Sequence, residues 1–198
     1  MTIAALSREH LADTAHPRHA ERIASVGVAH SLVEVRVAGE DGAPLPTGDT
    51  GEVLVRGDTV MAGYWRNPQA SAKTLRDGWL WTGDLGSLDA DGLLTIKDRS
   101  KDMIISGGSN VYPREIEDVL FEHPAVAQAA VIGVPHERWG EEVKALVALR
   151  TGHSVTEGEL IEFVKARKGS LTAPKSVEFV AAIPVTNLGK VDKKTLRA

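Results

Sequence analysis

Residues Asp98–Glu117 read DRSKDMIISGGSNVYPREIE. A run of charges leads into an apolar triplet, then a glycine pair, then a Tyr-Pro step. Pro113 suits the first position of a helix, where its missing N–H costs no hydrogen bond. Glu115 falls in the first turn of that helix, and Ile116, Val119 and Leu120 share one face of it. Asp102–Ile105 reads as a short strand. Gly107 and Gly108 stand between strand and helix and support two readings: a tight turn, or backbone left bare so that a ligand can approach it. The third glycine of a dinucleotide fingerprint and the Lys-Ser/Thr of a phosphate-binding P-loop are both missing. The pattern of the chain changes across this stretch, so a domain boundary is placed at about residues 98–101.

Upstream, residues 1–32 are polar, rich in histidine and weakly patterned, with one or two short helices at most. Val33–Val37 (VEVRV) and Glu52–Arg56 (EVLVR) alternate apolar and polar residues, as half-buried strands do. Pro68–Arg76 reads as a helix. Strands around Leu85–Leu88 and Leu93–Lys97 flank Asp89-Ala90-Asp91-Gly92, a strong hairpin signal. Short strands joined by glycine-rich turns predict a small antiparallel sheet or barrel. Downstream, Val126–Val134 and Val143–Leu149 read as strands. Thr156-x-x-Glu159 is a capping box opening a helix that carries Leu160, Phe163 and Val164. Ser176–Ala181 is a last strand, followed by a basic tail. The fold class is therefore α+β, a β-rich subdomain followed by a compact α+β domain.

Composition narrows the function. The chain has 198 residues, 42% of them apolar and 25% charged. A net charge of −4 argues against a broad nucleic-acid footprint. No apolar run approaches the roughly 18 residues that span a bilayer, and the opening MTIAALSREHL has no signal-peptide pattern. The sequence has no cysteine, which excludes disulfides, thiolate metal sites and a cysteine nucleophile and favours a cytoplasmic setting. His16 and His19 lie three apart, but Pro17 disturbs a helix there and no third ligand is near, so no metal site is expected.

Three further segments carry candidate chemistry. In WLWTGDL (79–85), an ionised Asp84 after a Thr-Gly turn offers lone pairs to a vicinal diol, or the turn simply initiates a strand. In Asp98–Asp102, Arg99 presents a rigid donor fork suited to a hydroxyl or phosphate, or the run is a solvated charge cluster. In Asn187-Leu188-Gly189-Lys190, a loop lysine offers a compact positive charge to a phosphate or carboxylate.

Taken in order, GEVLVRG (51–57), GYWRNP (63–68), WLWTGDLG (79–86), DRSKDMIISGGSNVYPREIE (98–117), VPHERWGE (134–141) and NLGK (187–190) resemble the adenylate-forming superfamily. Within it the chain is most similar to AMP-forming acyl-CoA synthetases of the fatty-acid type, over about residues 24–198. The resemblance implies a two-step ligation. ATP and a carboxylic acid give an acyl-adenylate and pyrophosphate, then coenzyme A displaces AMP. It implies that Asp84 and Arg99 hold the AMP ribose and that Lys190 is the catalytic lysine of the first step. Lys101 falls at the hinge about which the C-terminal domain turns, and Gly107 and Gly108 line the pantetheine passage. On this reading, residues 1–32 are a remnant of the large domain, 33–98 its β-rich subdomain, and 99–198 the mobile domain. The family's phosphate loop and its Tyr-Gly-x-Thr-Glu segment, whose Glu helps hold Mg²⁺, are absent from these 198 residues. The expectation is therefore the C-terminal portion of a longer enzyme, inactive alone, with the N-terminal remainder of that enzyme as its partner. A non-catalytic docking module and an enzyme loading a carrier-protein thiol remain open alternatives.

Overall fold

The computed structural model describes residues 3–197. They form two compact units that divide between Lys101 and Asp102. Arg99 thus belongs to the first unit, and Lys101 is its last residue.

The first unit opens with β1 (Ala4–Ala5), α1 (Arg8–Ala12), α2 (His19–Ala24) and β2 (Val28–Ala29), and β1 pairs with β2. A five-stranded antiparallel sheet follows, built from β3 (Val33–Ala38), β4 (Gly51–Gly57), β5 (Leu75–Arg76), β6 (Trp79–Leu88) and β7 (Leu94–Arg99), with α3 (Pro68–Thr74) preceding β5. Its order is β3-β4-β6-β5, and β7 also pairs with β6. The expected helix at Pro68–Arg76 ends early because Leu75 and Arg76 pair with Leu80 and Trp79 instead. Alternation along β3 and β4 sends Val33, Val37, Val53 and Val55 to one face, where they pack with Leu80 and Leu94. On the opposite face Leu54 and Trp79 are buried. Arg36 and Arg56 stack on the Trp79 ring at 4.1 and 4.6 Å, and Arg76 stacks on Trp81 at 3.4 Å. Such contacts let arginine stems and fork faces cover an aromatic surface while their edges stay wet.

A single 3₁₀ turn covers Ser100–Asp102, where the sequence predicts the start of a strand. The second unit then runs β8 (Ile104–Ser106), β9 (Ser109–Val111), α4 (Pro113–Phe121), β10 (Val126–His136), β11 (Gly140–Leu149), α5 (Glu157–Lys168), β12 (Ser176–Phe179) and α6 (Lys193–Leu196). The sheet order is β10-β11-β8-β9. β12 joins β11 in parallel, while the other pairings are antiparallel. Strand β10 contains Pro135, which an edge position tolerates. Pro113 opens α4 and the Thr156–Glu159 capping box opens α5. Ile116, Val119 and Leu120 of α4 and Leu160 and Val164 of α5 close one core with Ile104, Val131, Val143 and Val147. Fully burying a side chain of this size stabilises the fold by about 1.5–3 kcal/mol. A second, smaller core on the other side of the sheet joins Ile132 and Leu146 to Ile183 and Leu196 of the C-terminal segment. Among the described residues, no helix is long and apolar enough to cross a membrane.

Candidate active site

Asp84 and Arg99 face each other across β6 and β7, with Arg99 Nε 2.6 Å from Asp84 Oδ1. What aims Asp84 is a bulge. Trp81 pairs with Leu54 and Leu85 with Glu52, so three residues of β6 oppose one of β4. The extra residues push Thr82-Gly83-Asp84 out of the ladder with β4, while Asp84 keeps its pairing with Arg99 of β7, a device strands use to redirect a side chain. Gly83 takes φ +73°, which a Cβ would strain. Local hydrogen bonds replace the lost ladder. Gly83 N–H donates to Glu52 Oε1 at 2.9 Å, Thr82 Oγ1 donates to the Val53 carbonyl at 2.7 Å, and Asp84 N–H donates to Thr82 Oγ1 at 3.1 Å. The Thr-Gly step is therefore a bulge within one long strand and does not initiate one. An open groove of about 700 Å³ runs past it, lined by Glu52, Met61, Tyr64, Lys73, Trp81 and Asp84 among others.

Gly107 and Gly108 occupy the two-residue turn between β8 and β9, with φ +58° and +79°. Positive φ at both central residues is the turn that matches strand twist in short hairpins, and it favours glycine. Gly107 N–H also donates to the Trp139 carbonyl at 3.0 Å, and a Cβ on Gly107 would lie 2.8 Å from the Trp139 ring. Hairpin geometry alone accounts for both glycines. The sequence places the pair between strand and helix; β9 intervenes, and at three residues it is too short to show a periodic signature.

Lys190 is exposed in the second unit, in a small hairpin closed by the Val185–Val191 bridge. Thr186 N–H donates to the Lys190 carbonyl at 2.7 Å, Gly189 N–H to the Thr186 carbonyl at 2.9 Å, and Lys190 N–H to Thr186 Oγ1 at 3.3 Å.

Residues 2–65 match the model of the AMP-binding enzyme family, and residues 115–190 match that of the AMP-binding enzyme C-terminal domain. The chain belongs to the AMP-binding, adenylate-forming enzymes. A feruloyl-CoA synthase of an Amycolatopsis species is 46% identical over 93% of this chain and 37% of its own length. A medium/long-chain-fatty-acid–CoA ligase of Mycobacterium tuberculosis is 47% identical over 90% of this chain and 32% of its own length. Among solved structures, o-succinylbenzoate CoA synthetase of Bacillus subtilis, holding an acyl-adenylate, superimposes with a TM-score of 0.88 at 34% identity. That match covers 99% of this chain and 38% of that one. The amide bond synthetase McbA of Marinactinospora thermotolerans gives 0.83 at 45% identity, covering 90% and 37%. The chain thus spans about a third of the length of these relatives.

Of the residues singled out from sequence, the fold brings Asp84 and Arg99 together in the first unit of this AMP-binding chain. Lys190, Gly107 and Gly108 stand in the second. Two participants were not legible. The sequence marks Glu52 only as the start of a strand, and its partner Gly83 is 31 positions away. Trp139, within VPHERWGE, carries no sequence signal of a role, yet its carbonyl accepts the Gly107 N–H. Among the described residues, no group of three or more His, Asp or Glu side chains could hold a metal ion. These residues do not by themselves fit an Mg²⁺ site.

Proposed function

We propose that this chain is the C-terminal portion of an AMP-forming acyl-CoA synthetase, whose whole reaction joins a carboxylic acid to coenzyme A at the expense of ATP. The observation that carries this reading is the Asp84–Arg99 pair, displayed by a braced bulge beside an open groove in a chain of the AMP-binding family. An exposed pair of this kind contributes only about 0–1 kcal/mol to stability. Its use lies in orientation. Arg99 occupies one lone pair of Asp84, and the carboxylate retains acceptor capacity for the two hydroxyls of a ribose. Arg99 also presents donors of its own beside that carboxylate.

In the first half-reaction, a carboxylate oxygen of the acid bonds to the α-phosphorus of ATP and the bond to pyrophosphate breaks. Lys190 supplies positive charge where negative charge develops on the acyl-phosphate oxygens. In the second, the thiolate sulfur of coenzyme A bonds to the acyl carbon and AMP leaves. Lys101, ending the first unit, is the hinge residue, and Gly107-Gly108 borders the path of the pantetheine arm. The relatives are named for feruloyl, fatty-acyl and amide-forming activities at nearly equal identity. The choice of acid and of acceptor therefore rests largely outside these 198 residues, with the N-terminal remainder of the enzyme.

The test uses the full-length synthetase with Lys190→Ala. Pyrophosphate exchange should fall roughly 10²–10³-fold, the usual effect of removing one preorganised transition-state contact. Thioester formation from supplied acyl-adenylate and coenzyme A should stay near wild type. Equal loss in both assays would overturn this role in favour of a general folding effect, and no loss in either would leave Lys190 an ordinary surface lysine.

A further inference from the structure

We propose that the Glu117–Lys193 ion pair anchors the hairpin that carries Lys190, so that both are positioning residues for it. The proposal rests on the assignment of Lys190 to adenylate formation only where activity is the readout.

The hairpin is an exposed arm between two fixed ends. On its N-terminal side Ile183 is buried in the smaller core, and its N–H donates to Gln128 Oε1 at 3.1 Å. On its C-terminal side Asp192 N–H donates to the Pro184 carbonyl at 2.9 Å, and the Asp192 carboxylate caps α6 through Thr195 N–H. Between these ends the arm has little packing: Leu188 is 86% exposed and Val185 57%. Its position therefore depends on what holds α6. Leu196 contributes apolar contact, and Arg197 Nη2 reaches Asp102 Oδ1 at 3.3 Å. The strongest tie is Lys193, whose Nζ lies 2.9 Å from Glu117 Oε1.

That pair is unlike the surface pairs of this chain. Its side chains are 15% and 16% exposed, against 45% and 67% for Lys165–Glu162. Glu117 Oε1 also accepts the Val131 N–H at 2.9 Å, on the open edge of β10. One carboxylate oxygen thus joins helix α4, edge strand β10 and the C-terminal helix. Such a shielded pair is screened little by solvent, and losing one partner leaves a poorly solvated charge behind. Lys193 is three residues from Lys190, so freeing α6 loosens the arm directly.

Three variants test the anchor. Lys193→Met keeps most of the stem and removes the charge, Lys193→Arg keeps the charge, and Glu117→Gln keeps an acceptor for Val131. Amide exchange in the 198-residue chain is read first. In Lys193→Met and Glu117→Gln, the amides of Thr186, Gly189 and Lys190 should exchange about tenfold faster or more, while those of β11 hold their rates. Lys193→Arg should stay within about threefold of wild type, since a cation still meets the carboxylate. Unchanged hairpin exchange in Lys193→Met, or an equal rise across β11, overturns the anchor. In the full-length synthetase, Lys193→Met should lower pyrophosphate exchange about ten- to a hundredfold and spare thioester formation, with Lys193→Arg largely restored. Faster hairpin exchange with intact pyrophosphate exchange supports the anchor and overturns the adenylation role of Lys190.

Discussion

Asp84 and Arg99 stand on neighbouring strands of a five-stranded sheet, locked to each other and to a bulge braced by three local hydrogen bonds. Lys190 stands in a hairpin whose own hydrogen bonds are few and whose rigidity is borrowed from α6 and Ile183 at its ends. The difference suits the two tasks proposed for them. A ribose bound throughout both half-reactions asks for a rigid, preorganised pair. A charge required in only one half-reaction is better carried on an arm that can be delivered and withdrawn. The two units also have separate cores, one assembled around Val53, Val55 and Leu80, the other around Ile104, Leu120 and Leu160.

The sharpest way to break this comparison is to damage one core and watch the other. Leu120 is fully buried in the second unit. Leu120→Ala should cost about 2–5 kcal/mol through lost burial and the cavity left behind. Segment-resolved hydrogen exchange should show the loss across α4, β10 and β11, with β3, β4 and β6 near their wild-type rates. Leu54→Ala should give the converse, since Leu54 is equally buried on the tryptophan face of the first sheet. If either variant loosened both units alike, the cores would be one cooperative structure and the comparison would fail.

The contrast also explains what the sequence showed and what it hid. Alternation in VEVRV and EVLVR, Pro113 at a helix start and the Thr156-x-x-Glu159 box are local signals, and the elements they predict are present. The order of six short motifs was enough to indicate the family. What was hidden depends on partners distant in sequence. The bulge at Thr82–Asp84 exists because β4 lies alongside with Glu52 at its start. The parallel pairing of β12 with β11 joins residues some thirty positions apart. Lys193 meets Glu117 across most of the second unit, so a basic tail gave no hint of an anchor. Strand β9 escaped because three residues are too few to show a period.

The Gly107-Gly108 turn offers a smaller effect and separates its two readings. Gly107→Ala must adopt positive φ and also place a Cβ 2.8 Å from the Trp139 ring. Gly108→Ala meets nothing within 4 Å and is strained by φ alone. A residue forced into this region costs about 1–2 kcal/mol, so both variants should lower the urea midpoint, Gly107→Ala the more. Gly108→Asn should be milder, because Asn tolerates that conformation. In the full-length synthetase Gly108→Asn then decides between turn and passage. A stable variant that forms acyl-adenylate yet fails to form thioester supports a backbone kept bare for the pantetheine arm. Wild-type thioester formation leaves the hairpin as the whole reason for the glycines.

The smallest effect concerns the capping box of α5, a structural device in the second unit with no part in the proposed chemistry. Glu159 Oε2 accepts both Thr156 N–H and Thr156 Oγ1, each at 2.7 Å, and Thr156 Oγ1 accepts Glu159 N–H at 3.3 Å. The backbone bond first, then the hydroxyl and the nearby His123, hold its carboxyl below the ordinary glutamate value near 4.5. A depressed value means that the folded chain binds this proton less readily than the unfolded chain. The contribution is therefore complete above about pH 5 and drains away as pH falls through the folded value. Other carboxylates in the chain follow the same direction, among them Asp192 through its cap on α6. The wild-type curve alone cannot isolate Glu159, but its difference from Glu159→Gln can, because the amide keeps an acceptor and cannot titrate. Urea midpoints of the second unit should be higher in the wild type at pH 7. They should converge with those of Glu159→Gln as pH falls from about 5 through the folded value, while exchange rates in β3 and β4 show no difference between the two proteins at any pH. A gap that persisted unchanged through that fall would mean that the carboxylate charge contributes nothing to the cap and that Thr156 alone sustains it.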